Sequence, residues 1–257
     1  GVDMDQEGLV PDALEHSLTA IGPSTAALYV TPTMQNPTTA TMGRARREAI
    51  VGVCRKYDVA IIEDDVYNLG TDPELLPLAM LAPERTFYAN SMSKTLNPTL
   101  RIGGLVVPVP YLAEAENMLQ ATAIMVSPLS CAVMEQWLLD GTAKAVNRAI
   151  QDESSRRAAL AKSLLGDLVH IPDHRGYHLW IPMPKPEAER LHRAAEAFGV
   201  LLTPPDATEA CSNAAQSGVR LCLGAASMAE LSTALGTVTR LIHEARLKPS
   251  KRVELVV

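Results

Sequence analysis

Residues 91–104, SMSKTLNPTLRIGG, are the most informative stretch of this sequence, because they set an amine, hydroxyls and a guanidinium into one predicted loop after an apolar run. The amine of Lys94 stands beside the hydroxyls of Ser91 and Ser93, and Arg101 follows seven positions after the lysine. An arginine fork with serine hydroxyls suits a phosphate group. A lysine beside a phosphate acts either as a simple cation or, when its pKa is lowered, as a nucleophile.

Short apolar runs alternate with an amphipathic segment around this stretch. Four such runs are predicted strands, at residues 26–30, 59–62, 86–89 and 104–109. Between the first two, apolar residues recur at helical spacing from Thr41, the expected N-cap, to about Tyr57. This order of strand, helix, strand, loop and strand predicts an α/β domain with a mainly parallel sheet.

Polar clusters follow three of the predicted strands. Asn36 comes after the first strand, Asp64 and Tyr67 after the second, and the 91–104 stretch after the third. Because ligands of parallel sheets bind at the carboxyl ends of the strands, we expect the clusters to converge on one edge. That edge would offer a phosphate site, an amine, a carboxylate for a ring nitrogen and partners for a phenolate oxygen. These are the requirements of pyridoxal 5'-phosphate.

The second half of the chain is mainly helical. Helices are predicted at residues 151–165 and 186–198, and another opens with the capping box Ser227–Glu230. The predicted strands of this half are residues 176–183, 200–203 and 219–223. We therefore expect a larger domain over residues 1–140 and a smaller α+β domain over residues 141–257.

Composition argues against several other classes of protein. The net charge of −6 disfavours a nucleic-acid surface within this chain, and the basic cluster Arg44–Arg47 is expected to be a solvated helix face. No apolar run is long enough to span a membrane. The cysteines lie far apart, which favours a reducing, cytoplasmic location over a disulfide framework or a zinc ribbon. They are Cys54, Cys131, Cys211 and Cys222.

The acidic triplet Glu63, Asp64 and Asp65 has a competing interpretation as a magnesium site of a polymerase- or phosphatase-type enzyme. No second carboxylate cluster accompanies the triplet, so we disfavour this interpretation and expect no bound metal.

Four motifs, in order and spacing, resemble those of the fold-type I, aspartate aminotransferase-like enzymes of aminotransferase class I/II, which depend on pyridoxal phosphate. They are Asn36-Pro37-Thr38, Asp64-Asp65-Val66-Tyr67, Ser91-x-Ser93-Lys94 with Arg101, and Val219-Arg220-Leu221. The sequence is most similar to the aminotransferase-like C-terminal domain of MocR-type regulators of the GntR family. That similarity rests on residues 35–42 (QNPTTATM) with Arg46-Arg47 just after, 63–65, 93–101 and 176–180 (GYHLW).

The resemblance implies a role for each matched residue. Lys94 would bind the cofactor as a Schiff base and move the proton, Asp64 would pair with the ring nitrogen, and Tyr67 would complete the catalytic set. Asn36 and Tyr67 would hydrogen-bond the ring oxygen O3'. The residues implied to bind the cofactor are Asn36, Asp64, Tyr67, Ser91, Ser93, Lys94 and Arg101. Arg220 and Asn36 would bind the substrate, Arg220 through the α-carboxylate of an amino acid.

The sequence departs from the family pattern at two sites and in extent. Residues 203–208 (TPPDAT) lack the aromatic residue that the family usually has in this region of the substrate site. Thr39 stands where the family usually has glycine after Asn-Pro-Thr. The sequence also begins well inside the family's domain, so the resemblance implies a truncated fold that lacks an N-terminal part. That part would supply the glycine-rich half of the phosphate cradle, the aromatic ring that stacks on the cofactor and much of a homodimer contact.

Three functions follow from the resemblance. The first is the effector domain of a transcriptional regulator, which binds pyridoxal phosphate through Lys94 and an amino acid or amine effector. Such a regulator would contact DNA only through a winged helix-turn-helix upstream of this chain. The second is a working aminotransferase that passes an amino group between an amino acid and a 2-oxo acid, so enzymatic activity is left open. The third is a folded remnant that cannot hold the cofactor.

Overall fold

The computed structural model describes residues 1–22, 27–70, 74–169, 176–209 and 216–247. The chain divides into two compact units. The first is Gly1–Glu153 with His174–Gly176, and the second is Ser154–Asp173 with Tyr177–Val257. The domain boundary expected after residue 140 stays a prediction.

The described part of the first unit combines a central sheet with helices. Its elements are β1 (Met4–Asp5), β2 (Gly8–Leu9), α1 (Pro11–Ile21), β3 (Ala27–Val30), α2 (Arg44–Lys56), β4 (Ala60–Asp64), α3 (Leu78–Leu81), β5 (Thr86–Ser91), α4 (Met92–Thr95), β6 (Gly103–Val106), α5 (Leu112–Thr122) and α6 (Pro128–Leu139). A long helix, α7 (Thr142–Leu165), begins in this unit and continues into the second.

The central sheet has the strand order β3-β4-β5-β6. The first three strands are parallel, with Tyr29 opposite Ile62 and Asp64 opposite Ala89, and β6 runs antiparallel to β5. The expected α/β fold with a mainly parallel sheet is thereby confirmed. The parallel register places the carboxyl ends of β3, β4 and β5 at one edge.

One face of this sheet is buried beneath helices α1 and α2. Leu28 and Ile61 on the strands and Ile50 on α2 belong to one apolar cluster and are nearly inaccessible to solvent. Burying one such side chain contributes about 1.5–3 kcal/mol to folding. Side chains of the opposite face, among them Tyr29 and Ile62, are exposed.

The start of α2 differs from the prediction in two ways. Thr41 does not cap the helix, which begins at Arg44 after Gly43, because the Thr41 hydroxyl accepts the backbone N–H of Met34 at 3.1 Å. The basic cluster is not a uniformly solvated face either, since Arg47 is only 1% exposed. Its guanidinium is buried because backbone carbonyls and a threonine hydroxyl surround it.

The second unit is a small α+β assembly around an antiparallel strand pair. Its described elements beyond α7 are β7 (His178–Pro184), α8 (Lys185–Ala197), β8 (Gln216–Cys222) and α9 (Met228–Leu247). Alternate residues of the strands, such as Leu179 and Leu221, are buried in one apolar cluster with residues of α8 and α9. The predicted strand at 200–203 is wrong, since these residues have no regular structure.

The capping box at the start of α9 is confirmed. The Glu230 carboxylate accepts the N–H of Ser227 at 2.8 Å, and the Ser227 hydroxyl accepts the N–H of Glu230 at 3.3 Å. Four apolar residues at helical spacing along α9 are buried. They are Leu231, Leu235, Val238 and Ile242.

Cysteines and hydropathy add two observations on the described part of the chain. Cys54, Cys131 and Cys222 are free thiols, whereas Cys211 lies outside the described residues. Among the helices that the structure describes, none combines the length and apolarity needed to cross a bilayer.

Gly218 and Gly236 of the second unit predict opposite effects of the same substitution. A Cβ at Gly218 would lie 2.5 Å or less from ring atoms of Trp180 and 2.6 Å from a backbone oxygen, so Gly218→Ala is expected to destabilise the unit by about 1–3 kcal/mol. Gly236 lies in α9 with open space around it, so Gly236→Ala is expected to stabilise by about 0.5–1 kcal/mol. Urea unfolding followed by Trp180 fluorescence, with Trp137 replaced by Phe, measures both. Equal effects of the two substitutions would contradict the packing described.

Candidate functional site

Asp64 ends β4 and is held in place by two donors. The hydroxyl of Tyr29, on the neighbouring strand, donates to Asp64 Oδ2 at 2.7 Å, and the N–H of Val66 donates to Oδ1 at 3.1 Å. Tyr29 and Asp64 share a face because Tyr29 lies opposite Ile62, two residues before Asp64. Burial, with the adjacent Asp64 carboxylate as the next cause, raises the pKa of Tyr29 to about 12. The tyrosine therefore stays a neutral donor to this carboxylate.

Lys94 lies on the short helix α4, at the end of β5. Its Nζ is 5.5 Å from the centroid of the Tyr67 ring, so the structure brings these two predicted site residues together. Such cation–π contacts contribute about 0.5–1 kcal/mol at exposed sites and more when desolvated. Since Asp64 lies opposite Ala89 in the sheet, the turns that carry Tyr67 and Lys94 both leave the same edge.

Ser91 and Ser93 form a compact hydroxyl pair before Lys94. Ser91 Oγ donates to Ser93 Oγ at 2.9 Å, and the Ser91 hydroxyl also accepts the N–H of Ser93 at 3.1 Å as the N-cap of α4. Arg101 lies further along the stretch, is exposed and has a left-handed backbone with φ of 53°. The hydroxyl pair is thus assembled, while the structure describes no contact between the Arg101 guanidinium and these serines.

Apolar residues inside the 91–104 stretch anchor it to the rest of the first unit. Leu96, Leu100 and Ile102 form a small buried cluster against which Trp137 of α6 packs. The side chain of Asn147 donates to the carbonyl of Thr95 at 3.0 Å. The spacing of these apolar positions, with polar side chains between them, explains why Lys94 and the serines remain partly accessible.

Asn36 lies in the loop between β3 and α2, and its side chain is exposed. Gln35 organises this loop: its N–H donates to the carbonyl of Ala40 at 2.9 Å, and its side-chain oxygen accepts from Thr38. Thr39 has a φ of 63° and is 3% exposed, in the position where the related family usually has glycine. Glycine suits that position because only glycine takes the left-handed conformation without steric cost.

Arg220 lies on β8 of the second unit, opposite Trp180. Its Nε is buried and has no hydrogen-bond partner among the residues that the structure describes. A buried donor without an acceptor is costly, so the position suits an anion that is not part of the chain.

Glu63 and Asp65 flank Asp64 but bind elsewhere. The Glu63 carboxylate accepts the N–H groups of Leu78 and Ala79 at 2.9 and 2.8 Å, and Asp65 Oδ2 accepts from Tyr88 and Asn68 at 2.9 Å each. The acidic triplet therefore does not converge on one point. Within the described residues, no three or more His, Cys, Asp or Glu side chains are grouped to hold a metal ion.

Two residues of this region were not identified from the sequence as parts of the site. Tyr29 holds Asp64 by a hydrogen bond. In β3 the buried residues Leu28 and Val30 flank the exposed Tyr29, and in the sequence this is visible as a hydroxyl-bearing residue between two aliphatic ones. The buried guanidinium of Arg47 has no comparable signal, because α2 presents both solvated and buried basic side chains.

The donor set fits pyridoxal phosphate. An oriented carboxylate, an amine beside a phenol and a hydroxyl pair lie at one sheet edge, as the ring nitrogen, aldehyde and phosphate of that cofactor require. The unpartnered Nε of Arg220 suits a carboxylate. The individual roles of these residues stay predictions.

Comparison with known proteins identifies the relatives of this chain. Residues 4–238 match the family described as aminotransferase class I and II. An uncharacterised HTH-type transcriptional regulator of Bacillus subtilis, YdfD, is 31% identical over 79% of this chain and 43% of its own length. The HTH-type pyridoxine biosynthesis regulator PdxR of Corynebacterium glutamicum is 28% identical over 72% of this chain and 41% of its own length. The chain thus spans less than half the length of either regulator.

A solved structure has the same fold. It is the α-aminoadipate aminotransferase LysN of Thermus thermophilus, complexed with N-(5'-phosphopyridoxyl)-L-leucine. The TM-score is 0.80 at 22% identity, and the match covers 95% of this chain and 64% of the LysN chain. The expected fold-type I architecture is confirmed by this similarity.

Glu63 predicts a pH dependence of the first unit's stability. Burial raises the pKa of Glu63 from 4.5 to about 7, although the N–H groups of Leu78 and Ala79 oppose the shift. The folded state retains this proton more strongly than the unfolded state, so the stability that it contributes is fully present below about pH 4.5 and is lost as the pH rises through 7. In Glu63→Gln this decline should be absent, as measured by urea unfolding at a series of pH values with Trp137 fluorescence. Glu114→Gln, on the exposed helix α5, should keep it. An unchanged pH profile in Glu63→Gln would refute this assignment.

Proposed function

The chain belongs to the class I and II aminotransferase family, and from this premise we propose that it is the pyridoxal-phosphate-binding effector domain of a GntR/MocR-type transcriptional regulator. The observation that carries the proposal is the Lys94–Tyr67 contact beside the Tyr29–Asp64 hydrogen bond at one sheet edge. Support for the regulator comes from YdfD and PdxR, both HTH-type regulators that match most of this chain.

In the proposed complex the residues of the first unit hold the cofactor. Lys94 holds it covalently through its amine, and Asp64 faces the ring nitrogen. Asn36 and Tyr67 bind the ring oxygen, while Ser91, Ser93 and Arg101 bind the phosphate. When bound, pyridoxal phosphate supplies an aldehyde that captures amines and a ring that withdraws electrons.

The electrostatics of the site support this assignment. A carboxylate held by two donors keeps its orientation, and Tyr29 remains protonated because its pKa is raised to about 12. These two donors orient the Asp64 carboxylate toward the edge where a ring nitrogen would pair with it. The Tyr67 ring lies 5.5 Å from the Lys94 amine, measured to the ring centroid, so its electron-rich face attracts the charged form of that amine.

The proposal extends to the whole protein. The effector is an amino acid or amine. For an amino acid, Arg220 binds the α-carboxylate through a guanidinium whose buried Nε has no partner among the described residues. DNA contact belongs to a winged helix-turn-helix upstream of this chain, and the working form is a homodimer. The free thiols Cys54, Cys131 and Cys222 support a reducing, cytoplasmic setting.

A second candidate is a working aminotransferase. Lys94, Asp64 and Tyr67 are all present and held near one edge, and a sensor that only binds an effector does not strictly need the full set. A protein of this kind would pass an amino group from an amino acid to a 2-oxo acid.

Replacing Lys94 tests cofactor binding. The purified chain is expected to develop a visible absorption band with pyridoxal phosphate, and borohydride reduction should abolish that band while making the linkage to Lys94 permanent. Lys94→Ala should not develop the band, since none of the other residues assigned to the cofactor carries an amine. Lys144→Ala, an exposed lysine on α7, should keep it. If the unaltered chain takes up no pyridoxal phosphate, it is a folded remnant, and the proposal fails for this chain.

Replacing Asp64 tests its proposed hydrogen bond to the ring nitrogen of the cofactor. Loss of a charge-assisted hydrogen bond costs about 1.5–3 kcal/mol, so Asp64→Asn should weaken pyridoxal phosphate binding about 10- to 100-fold. Asp58→Asn, whose side chain is 97% exposed, should leave the affinity unchanged.

Incubation of the loaded, unaltered protein with amino acids and a 2-oxo acid decides between the two candidate functions. Formation of a new amino acid from the 2-oxo acid would favour the aminotransferase over the effector domain.

A further inference from the structure

Arg47 is a buried arginine that the proposed function leaves without a role. Its side chain is 1% exposed and donates to four acceptors. They are the carbonyls of Met42 at 3.0 Å, Leu76 at 3.2 Å and Pro32 at 3.3 Å, and the hydroxyl of Thr33 at 2.8 Å.

Three of these acceptors close the loop that carries Asn36. Pro32 and Thr33 stand where the loop leaves β3, and Met42 stands where it returns to α2. The N–H of Met42 donates to the carbonyl of Pro32 at 2.8 Å, so the two ends already meet. The guanidinium of Arg47 binds acceptors at both ends of the loop and so fixes both ends to α2.

The fourth acceptor belongs to the segment that follows Tyr67. Leu76 lies just before α3, and Glu63 of β4 accepts the N–H groups of Leu78 and Ala79 at the start of that helix. One end of this segment leaves β4 with Tyr67, and the other is tied to Arg47 and Glu63. One side chain therefore holds both the Asn36 loop and the segment that leads into α3.

Charge around Arg47 explains why a buried guanidinium is tolerated. Burial lowers its pKa, and the carboxylates of Glu63 and Asp65 oppose that effect. Without the guanidinium, the carbonyls of Pro32, Met42 and Leu76 would lose these donors inside the protein, which is costly.

We propose that Arg47 is a positioning residue of the cofactor site, which fixes the Asn36 loop and the segment after Tyr67 relative to the central sheet. The proposal rests on the proposed function in that it assigns Asn36 and Tyr67 to the cofactor. Arg47 itself touches no cofactor atom in this scheme and acts through the loops that it joins.

The neighbouring arginine offers a matched control on the same helix. Arg46 donates to Asp5 Oδ2 at 2.7 Å, to Glu7 Oε2 at 3.2 Å and to the carbonyl of Leu9 at 2.8 Å. It therefore ties α2 to the β1–β2 hairpin and not to the Asn36 loop. Two adjacent residues of one type thus hold different segments.

Hydrogen–deuterium exchange of the full chain without cofactor tests whether Arg47 holds the Asn36 loop and the segment before α3. In Arg47→Met, amides of residues 33–42 and 74–79 should exchange about tenfold faster, because their anchoring hydrogen bonds are lost. Amides of α1 and β5 should be unchanged. Arg46→Met should instead accelerate exchange only in residues 3–10. Thr33→Val removes a single hydrogen bond and keeps the buried charge, so it should raise exchange of the Asn36 loop alone.

Pyridoxal phosphate titration of the same variants tests positioning. Arg47→Met should bind the cofactor about tenfold more weakly, with Thr33→Val intermediate and Arg46→Met equal to the unaltered chain. Localised loosening without a loss of affinity would overturn the positioning role, and so would an even rise of exchange over the whole first unit. If Arg47→Met does not fold, Thr33→Val decides by the same two readouts.

The two proposals fail in different ways. If the unaltered chain does not bind pyridoxal phosphate, the proposed function fails, and a role for Arg47 at a cofactor site fails with it. The exchange pattern then still shows whether Arg47 holds the Asn36 loop and the segment before α3. If the unaltered chain binds the cofactor and Arg47→Met binds equally well, only the inference on Arg47 is overturned.

Discussion

The parallel pairing of β3, β4 and β5 is the constraint on which the candidate site depends. Because Tyr29 lies opposite Ile62 and Asp64 opposite Ala89, all three strands end at one edge. A shift of one residue in β4 would turn Asp64 to the buried face and bring Glu63 or Asp65 to the Tyr29 side. The hydrogen bond between Tyr29 and Asp64 is possible only in this register.

Behind that edge the first unit uses polar groups where an apolar core would be expected. Glu63, Asp65 and Arg47 are almost fully buried and bind mainly backbone groups or neutral side chains of the loops. Apolar packing holds the strands against α1 and α2, and the loops also bury apolar side chains such as Met34 and Met42. Buried charges that bind loop carbonyls and amides add to this packing, at the cost of desolvating them.

Much of the fold and part of the site could be predicted from the sequence. Short apolar runs predicted the strands, and polar residues after them predicted the edge where Asp64, Tyr67 and Lys94 gather. The start of α2 was predicted wrongly, because Thr41 was equally suited to cap a helix or to accept a loop N–H. The buried state of Arg47 depends on carbonyls distant in the sequence, which no local pattern encodes. The strand predicted at 200–203 had suitable residues but gained no partner strand.

Thr39 places a strained residue in the loop that carries Asn36. A β-branched residue at a φ of 63° is strained in the native state, yet it has less backbone freedom to lose on folding than glycine has. At a positive φ the steric strain outweighs this entropic gain, so Thr39 is held at a net cost to stability. Backbone strain of this kind is concentrated at ligand-binding loops, which is the setting proposed for the Asn36 loop.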